Sequence, residues 1–244
     1  MFEFYREIEE RTMSEQKRKE AKFDFFAFYV GRPMSYLLTY PFLKMQVSPN
    51  TISFLSIIVV FIGAITVSVS NSKVFSFFGW LLFFLWNLLD GVDGNIARYS
   101  KISSKIGSVW DATSGYFCMF LTFFSMGINV YFSDSANFND IDAIWFVIMG
   151  AFSGFSVILP RLVMHKKNST YAGLNKQSSL NKKNEYSFSK IVALNLTSVS
   201  GFIQIIMLSS LMLDFQDIFT VFYFIVNTIV LIVSLKQLLR EQEI

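Results

Sequence analysis

NLLDGVDGNIARYSKISSKIGSVWDATSGY, residues 87–116, decides how the rest of the chain is read. Asp90, Asp93 and Asp111 stand in it between two apolar runs, 74–89 and 112–132. Carboxylates at the edge of hydrocarbon are costly, and a functional reason for them is the default reading. If 74–93 is helical, Asp90 and Asp93 are i,i+3 neighbours on one face. Asp111 falls in the first turns of the helix that follows. Two helices joined by a short loop can bring all three carboxylates together. Three hard anionic oxygens at one point suit Mg²⁺ or Mn²⁺.

Small residues fit the same picture. Gly91, Gly94 and Ala97 recur at three-residue spacing, so one helical face is nearly bare. A bare face lets a flat or bulky ligand approach the backbone. Each Gly costs about 1 kcal/mol in a helix interior, so something must be gained by it. Arg98 closes the stripe, where a guanidinium can pair with phosphate. Carboxylates for a metal, open backbone and an arginine together read as a diphosphate site.

Outside this stretch the chain is that of a membrane protein. Of its 244 residues 53% are hydrophobic, with 29 Phe, far above an ordinary soluble domain. Several apolar runs approach or exceed the roughly 20 residues that span a bilayer. The expected fold is all-α and polytopic, with six transmembrane helices near 51–70, 74–90, 107–132, 141–160, 191–213 and 218–235. The fourth is expected to end at Pro160-Arg161. Two regions follow: an N-terminal segment, 1–46, and a six-helix domain, 47–244. Residues 1–22 are dense in charge, which reads as a solvated helix or a partly disordered start. Residues 23–46 mix Phe, Tyr and Leu with Asp24, Arg32 and Lys44, an amphipathic stretch suited to the membrane interface. The charged N-terminus has no early apolar core, so no cleavable signal peptide is expected. The one cysteine, Cys118, cannot form an internal disulfide.

Six spans put both termini on one side, and basic loops choose the side. Arg98, Lys101, Lys105 and the basic segment 161–190 share a side with the aspartates. The opposite turns carry Lys73 with Asp134, Asp140, Asp142, Asp214 and Asp217. Termini and aspartates are therefore expected at the cytoplasmic face.

Asp90-x-x-Asp93-Gly94-x-x-Ala97-Arg98, eight residues, then Gly107-x-x-x-Asp111 resembles the signature of the CDP-alcohol phosphotransferases. The signature normally closes with a further Asp four residues on, usually taken as the base for the acceptor hydroxyl. Here that position is Gly115. The resemblance implies transfer of a phospho-alcohol group from a CDP-alcohol to an alcohol or lipid acceptor, with release of CMP. It implies Asp90, Asp93 and Asp111 as metal ligands, with Asp93 and Asp111 at the reacting groups. It implies cytidine against Gly94 and Ala97, and the diphosphate on Arg98. It also implies a homodimer within the lipid bilayer. Pro49-Asn50-Thr51-Ile52-Ser53 is similar to a Pro-Asn-x-x-Thr element that lies near the donor nucleotide in the family, with Ser53 in the Thr place. A plain helix start explains the same residues. Ser104 is equally a donor-phosphate contact by resemblance or an ordinary polar loop residue.

Other signals are weaker. Arg161 ends a span and could turn inward as part of an anion pocket; juxtamembrane bases also simply satisfy topology. The lone His165 is a weak ligand signal. Asn87, Asn129 and Asn195 sit in apolar runs and read as interhelical hydrogen bonds. The sequons at Asn168 and Asn195 fall in a cytoplasmic loop and a span and should stay unmodified. No nucleic-acid module, P-loop, zinc spacing or Ser/His/Asp arrangement is visible, and no nucleic-acid partner is expected. Two alternatives stay open: a degenerate relative that binds CDP-alcohol or metal without efficient turnover, and a transporter with an intramembrane cation site. The second leaves the Gly/Ala stripe and Arg98 unexplained.

Overall fold

The computed structural model describes residues 2–101, 104–133, 138, 142–171 and 188–240. Helices dominate, and no strand occurs among the described residues. α1 (Phe2–Thr12), α2 (Glu15–Ala21) and, after a π-helical turn over Ala27–Gly31, α3 (Arg32–Lys44) form the N-terminal segment. α4 (Pro49–Ser68) starts at a capping serine: Ser48 Oγ accepts from Thr51 N, and Pro49 fills the first turn. α5 (Lys73–Tyr99) has 27 residues, about 40 Å at 1.5 Å per residue. A span begun at Lys73 is complete after about 20 residues. The last turns, with Asp93 and Arg98, fall at or past that length.

α6 (Lys105–Phe132) begins at Ser104, whose Oγ accepts from Gly107 N at 2.9 Å. α7 (Ile144–Tyr171), α8 (Phe188–Thr197), α9 (Phe202–Leu213) and α10 (Gln216–Leu238) complete the chain. α4, α5, α6, α7 and α10 are long and apolar enough to cross a bilayer, and α9 is a shorter apolar helix. The protein is all-α and polytopic.

Helix contacts rest on small residues that let backbones approach. A Cβ at Gly79 of α5 would stand 2.6 Å from Val67 Cγ2 of α4. One at Gly150 of α7 would lie 2.6 Å from Phe123 O of α6. Phe83, Trp86, Phe123, Met126, Met207 and Tyr223 fill the core between them. Asn129 Nδ2 donates to Val67 O at 2.7 Å and Ser70 O at 3.0 Å. Asn87 Nδ2 donates to Ser200 O at 3.2 Å, and Asn195 Nδ2 to Phe23 O at 2.6 Å. All three asparagines therefore join separate elements, as their burial in apolar runs suggests.

Three expectations change. The span at 191–213 is two helices broken at Ser198–Gly201. Asp24 meets the break: its Oδ2 accepts from Ser198 Oγ at 2.6 Å. A Cβ at Gly201 would stand 2.7 Å from Asp24 Oδ1. Ser and Gly, poor helix formers, yield to these contacts. The second change is that α7 passes through Pro160 and Arg161 to Tyr171. Proline removes one hydrogen bond there, and the Arg, Leu, Met and Lys that follow carry the helix on.

The third change concerns residues 1–22, which are docked as well as helical. Ile8 is 0% exposed and clusters with Met13 and Tyr36, against which Tyr99 packs. Tyr99 Oη donates to Glu7 at 3.0 Å. The charges are also organised locally, with Arg11–Glu7 at 2.8 Å and Arg18–Glu9 at 2.5 Å. The N-terminal segment is thereby fastened to the end of α5 that carries the aspartates. The basic segment lies outside the described residues between 172 and 187, as do Asp134 and Asp140 of the acidic turn.

Candidate active site

The start of α4, the end of α5, the start of α6 and the π-helical turn enclose a cavity of about 580 Å³. Asn50, Asp90, Asp93, Gly94, Arg98 and Asp111 all line it. The i,i+3 spacing on α5 and the first turns of α6 thus bring the three aspartates to one cavity. Ala97 and Ser104 line it too.

Asp93 is the most enclosed of the three carboxylates, 4% exposed, and accepts from Ser53 Oγ at 2.5 Å. Ser53 Oγ also lies 3.2 Å from Pro49 O, a weaker contact for the same hydroxyl proton. Beneath it, Ser56 Oγ donates to Ser53 O at 2.7 Å and lies 2.6 Å from Ser114 Oγ. With the Ser56 proton so used, Ser114 is the donor between the two hydroxyls. Ser114 also accepts from Trp86 Nε1 at 2.8 Å. This chain is buried, and unpaired members would be costly there. It locks α4, α5 and α6 in register directly below the aspartates.

The small-residue stripe is less open than its spacing suggests. Gly91 admits α3: a Cβ there would stand 2.8 Å from Ser35 Cβ. At Gly94 the guanidinium of Arg98 folds across the backbone, 2.9 Å from where a Cβ would be. Gly107 serves the opposite wall, where a Cβ would lie 2.9 Å from Ser104 Oγ and 3.0 Å from Asn50 Oδ1. Ser104 is therefore both a helix cap and a cavity wall.

The donor set fits a hard divalent cation in kind, being carboxylate oxygen on two facing helices. Among the described residues no three His, Cys, Asp or Glu are drawn together tightly enough to form a ready metal cluster. The carboxylates share a cavity and not a point.

Arg161 does not turn into the cavity. It is exposed on α7, near enough to Asp90 and Tyr116 to act on them electrostatically. One turn on, His165 Nδ1 is 3.0 Å from Tyr116 Oη. Both belong to the α6–α7 face beside the cavity.

Several wall residues were not expected at the site from the sequence. Arg32, Ser35, Asn95 and Ser200 line the cavity. Arg32 and Ser35 arrive because the N-terminal segment docks, and Ser200 because the α8–α9 span breaks. Asn95 was legible as a polar residue two positions after Asp93. Its Oδ1 accepts from Arg98 Nη2 at 3.2 Å, while its Nδ2 donates to Thr39 Oγ1 at 3.1 Å. It couples α3 to Arg98.

The family model for CDP-alcohol phosphatidyltransferases matches residues 46–235. The chain belongs to this family. Comparison with curated proteins finds no match. Membership supports phospho-alcohol transfer from a CDP-alcohol in membranes, to an alcohol acceptor. The matched region runs from the approach to α4 into α10, and so holds the aspartate-bearing helices. The docked segment with Arg32 lies outside it. Gly115, where the signature resemblance implies an Asp, lies one turn beyond Asp111 on α6. A Cβ there would touch only Met119 Cε, at 3.8 Å.

Proposed function

We propose that this protein is a divalent-metal-dependent transferase working at the cytoplasmic face of a cell membrane. It moves a phospho-alcohol group from a CDP-alcohol to an acceptor hydroxyl in phospholipid or envelope glycoconjugate synthesis. The observation that carries this is the single cavity lined by Asp90, Asp93, Asp111 and Arg98 in a chain of this family.

Asp90, Asp93 and Asp111 would hold Mg²⁺ or Mn²⁺, which when bound supplies polarisation of the diphosphate and offsets charge on the leaving group. Arg98 pairs with the diphosphate, and Asn95 keeps its guanidinium aimed. Gly94 lets the Arg98 guanidinium lie across the α5 backbone, and Ala97 borders the space left for cytidine beside it. Asn50 and Ser104 bound the phosphates from the opposite wall. The acceptor oxygen attacks the phosphorus farther from cytidine. A new P–O bond forms there, and the bond from that phosphorus to the bridging oxygen breaks. CMP leaves with the bond's electron pair. The acceptor proton passes to Asp111, the carboxylate one turn from the position where the family's usual base is replaced by Gly115.

Gly115 also favours a second reading, a relative that binds CDP-alcohol but turns it over poorly. The test is CMP release from a panel of CDP-alcohols with Mg²⁺ or Mn²⁺, with a membrane extract as the acceptor source. Acceptor-dependent CMP release supports the transferase. Donor binding without release supports the second reading. Neither binding nor release refutes both.

A further inference from the structure

We infer that Arg32, delivered by the N-terminal segment, is a second phosphate-binding arginine that works with Arg98 on the donor diphosphate. The inference rests on the transferase reading above and adds to it a residue outside the family-matched region.

Arg32 is the first residue of α3 and follows directly on the π-helical turn Ala27–Gly31. Such wide turns are frequent at functional sites because they re-aim the residues beside them. Here Ala27, Gly31, Arg32 and Ser35 all reach the main cavity. Arg32 and Arg98 also line a second cavity of about 360 Å³, under α1 and α2. The two arginines therefore form the partition between the spaces. They are near enough to act on each other electrostatically.

Two guanidiniums brought together repel, and a fold normally places a carboxylate between them. Among the described ion pairs neither arginine has a direct partner, and only Arg98 has the cavity carboxylates Asp93 and Asp111 within electrostatic reach. Among the described residues, Arg32 Nη1 makes a long contact to Met13 Sδ, 3.9 Å. Arg98 Nη2 donates to the neutral Asn95. Glu20 and Asp24 line the second cavity, but no ion pair joins either to an arginine among the described residues. A diphosphate supplies what the pair lacks: two adjacent anionic groups, each able to accept from a planar donor fork. The docking of α1 on Tyr99 then has a consequence for binding. It holds α3, and so Arg32, against the end of α5.

The test compares binding of CDP and of cytidine to wild type, Arg32→Ala, Arg32→Lys and Lys44→Ala. Lys44 lies on the same helix, stacked over Tyr40 and away from both cavities. Arg32→Ala should weaken CDP binding by about tenfold or more, the range for losing a charge-assisted hydrogen bond, and leave cytidine binding within about twofold. Arg32→Lys should recover part of the CDP affinity, and Lys44→Ala should change neither ligand. Retained cytidine binding reports that the variant is folded. Unchanged CDP binding in Arg32→Ala, or equal losses for CDP and cytidine, would overturn the assignment of Arg32 alone. Wild type that binds no CDP would overturn the transferase reading and this inference with it.

Discussion

Removing the Ser53 hydroxyl tests whether Asp93 is held ready or merely nearby. Ser53 Oγ donates to Asp93 Oδ2 at 2.5 Å, and the serine is 2% exposed. A hydrogen bond to a charged group contributes about 1.5–3 kcal/mol, and each 1.4 kcal/mol is a factor of ten. Ser53→Ala should therefore lower kcat/KM for CMP release by about 10- to 100-fold. The missing oxygen also frees Ser53's contact to Pro49 O, a smaller loss that falls on folding stability. Ser53→Thr keeps the donor. It should stay within about threefold of wild type. The assay is initial-rate CMP release at varied CDP-alcohol, with thermal melting of each variant in detergent. Ser53→Ala within twofold of wild type would refute the reasoning. So would Ser53→Thr falling as far as Ser53→Ala with both melting normally.

Gly115→Asp has room, because a Cβ there meets only Met119 Cε at 3.8 Å. It should cut acceptor-dependent CMP release by about tenfold or more by adding charge and bulk beside the acceptor; a silent wild type rescued by Asp would favour the poorly active reading. Ser104→Cys should be labelled by an impermeant thiol reagent only from the cytoplasmic side, and Ser72→Cys, at the opposite end of α5, only from outside. The reverse pattern would deny the aspartates access to cytosolic donors. Gly127→Ala should lower melting stability by about 1–3 kcal/mol, the cost of overpacking, since its Cβ would run into Phe146 O. An unchanged melting curve would mean that α6 and α7 are not fixed at this crossing.

The aspartate-bearing stretch was legible because local rules govern it. Helix periodicity fixes Asp90 and Asp93 on one face, and apolar length marks the body of α5. Polar asparagines in apolar runs announced their helix-joining bonds for the same reason. Long-range docking leaves no such trace. Nothing in the charges of residues 1–22 foretells that Ile8 is buried against Tyr36, or that Arg32 reaches the cavity. The break at Ser198–Gly201 meets Asp24, far away in sequence. Gly91 and Gly94 look alike in the sequence, yet one accommodates a neighbouring helix and the other a guanidinium. Pro160 misled for the opposite reason: a local breaker was overridden by the helix formers after it.

The central claim is that Asp90, Asp93 and Asp111 together run the transfer. Its most direct measurement is CMP release by wild type and by Asp90→Asn, Asp93→Asn and Asp111→Asn, each with Mg²⁺ or Mn²⁺ and with thermal melting as the check on folding. Asn keeps the size of the side chain and removes its charge. Each variant should melt near wild type and lose at least about 100-fold in turnover, the 2.7 kcal/mol or more expected of a group in contact with the reacting phosphates. Near-normal turnover by any one of the three would contradict the account.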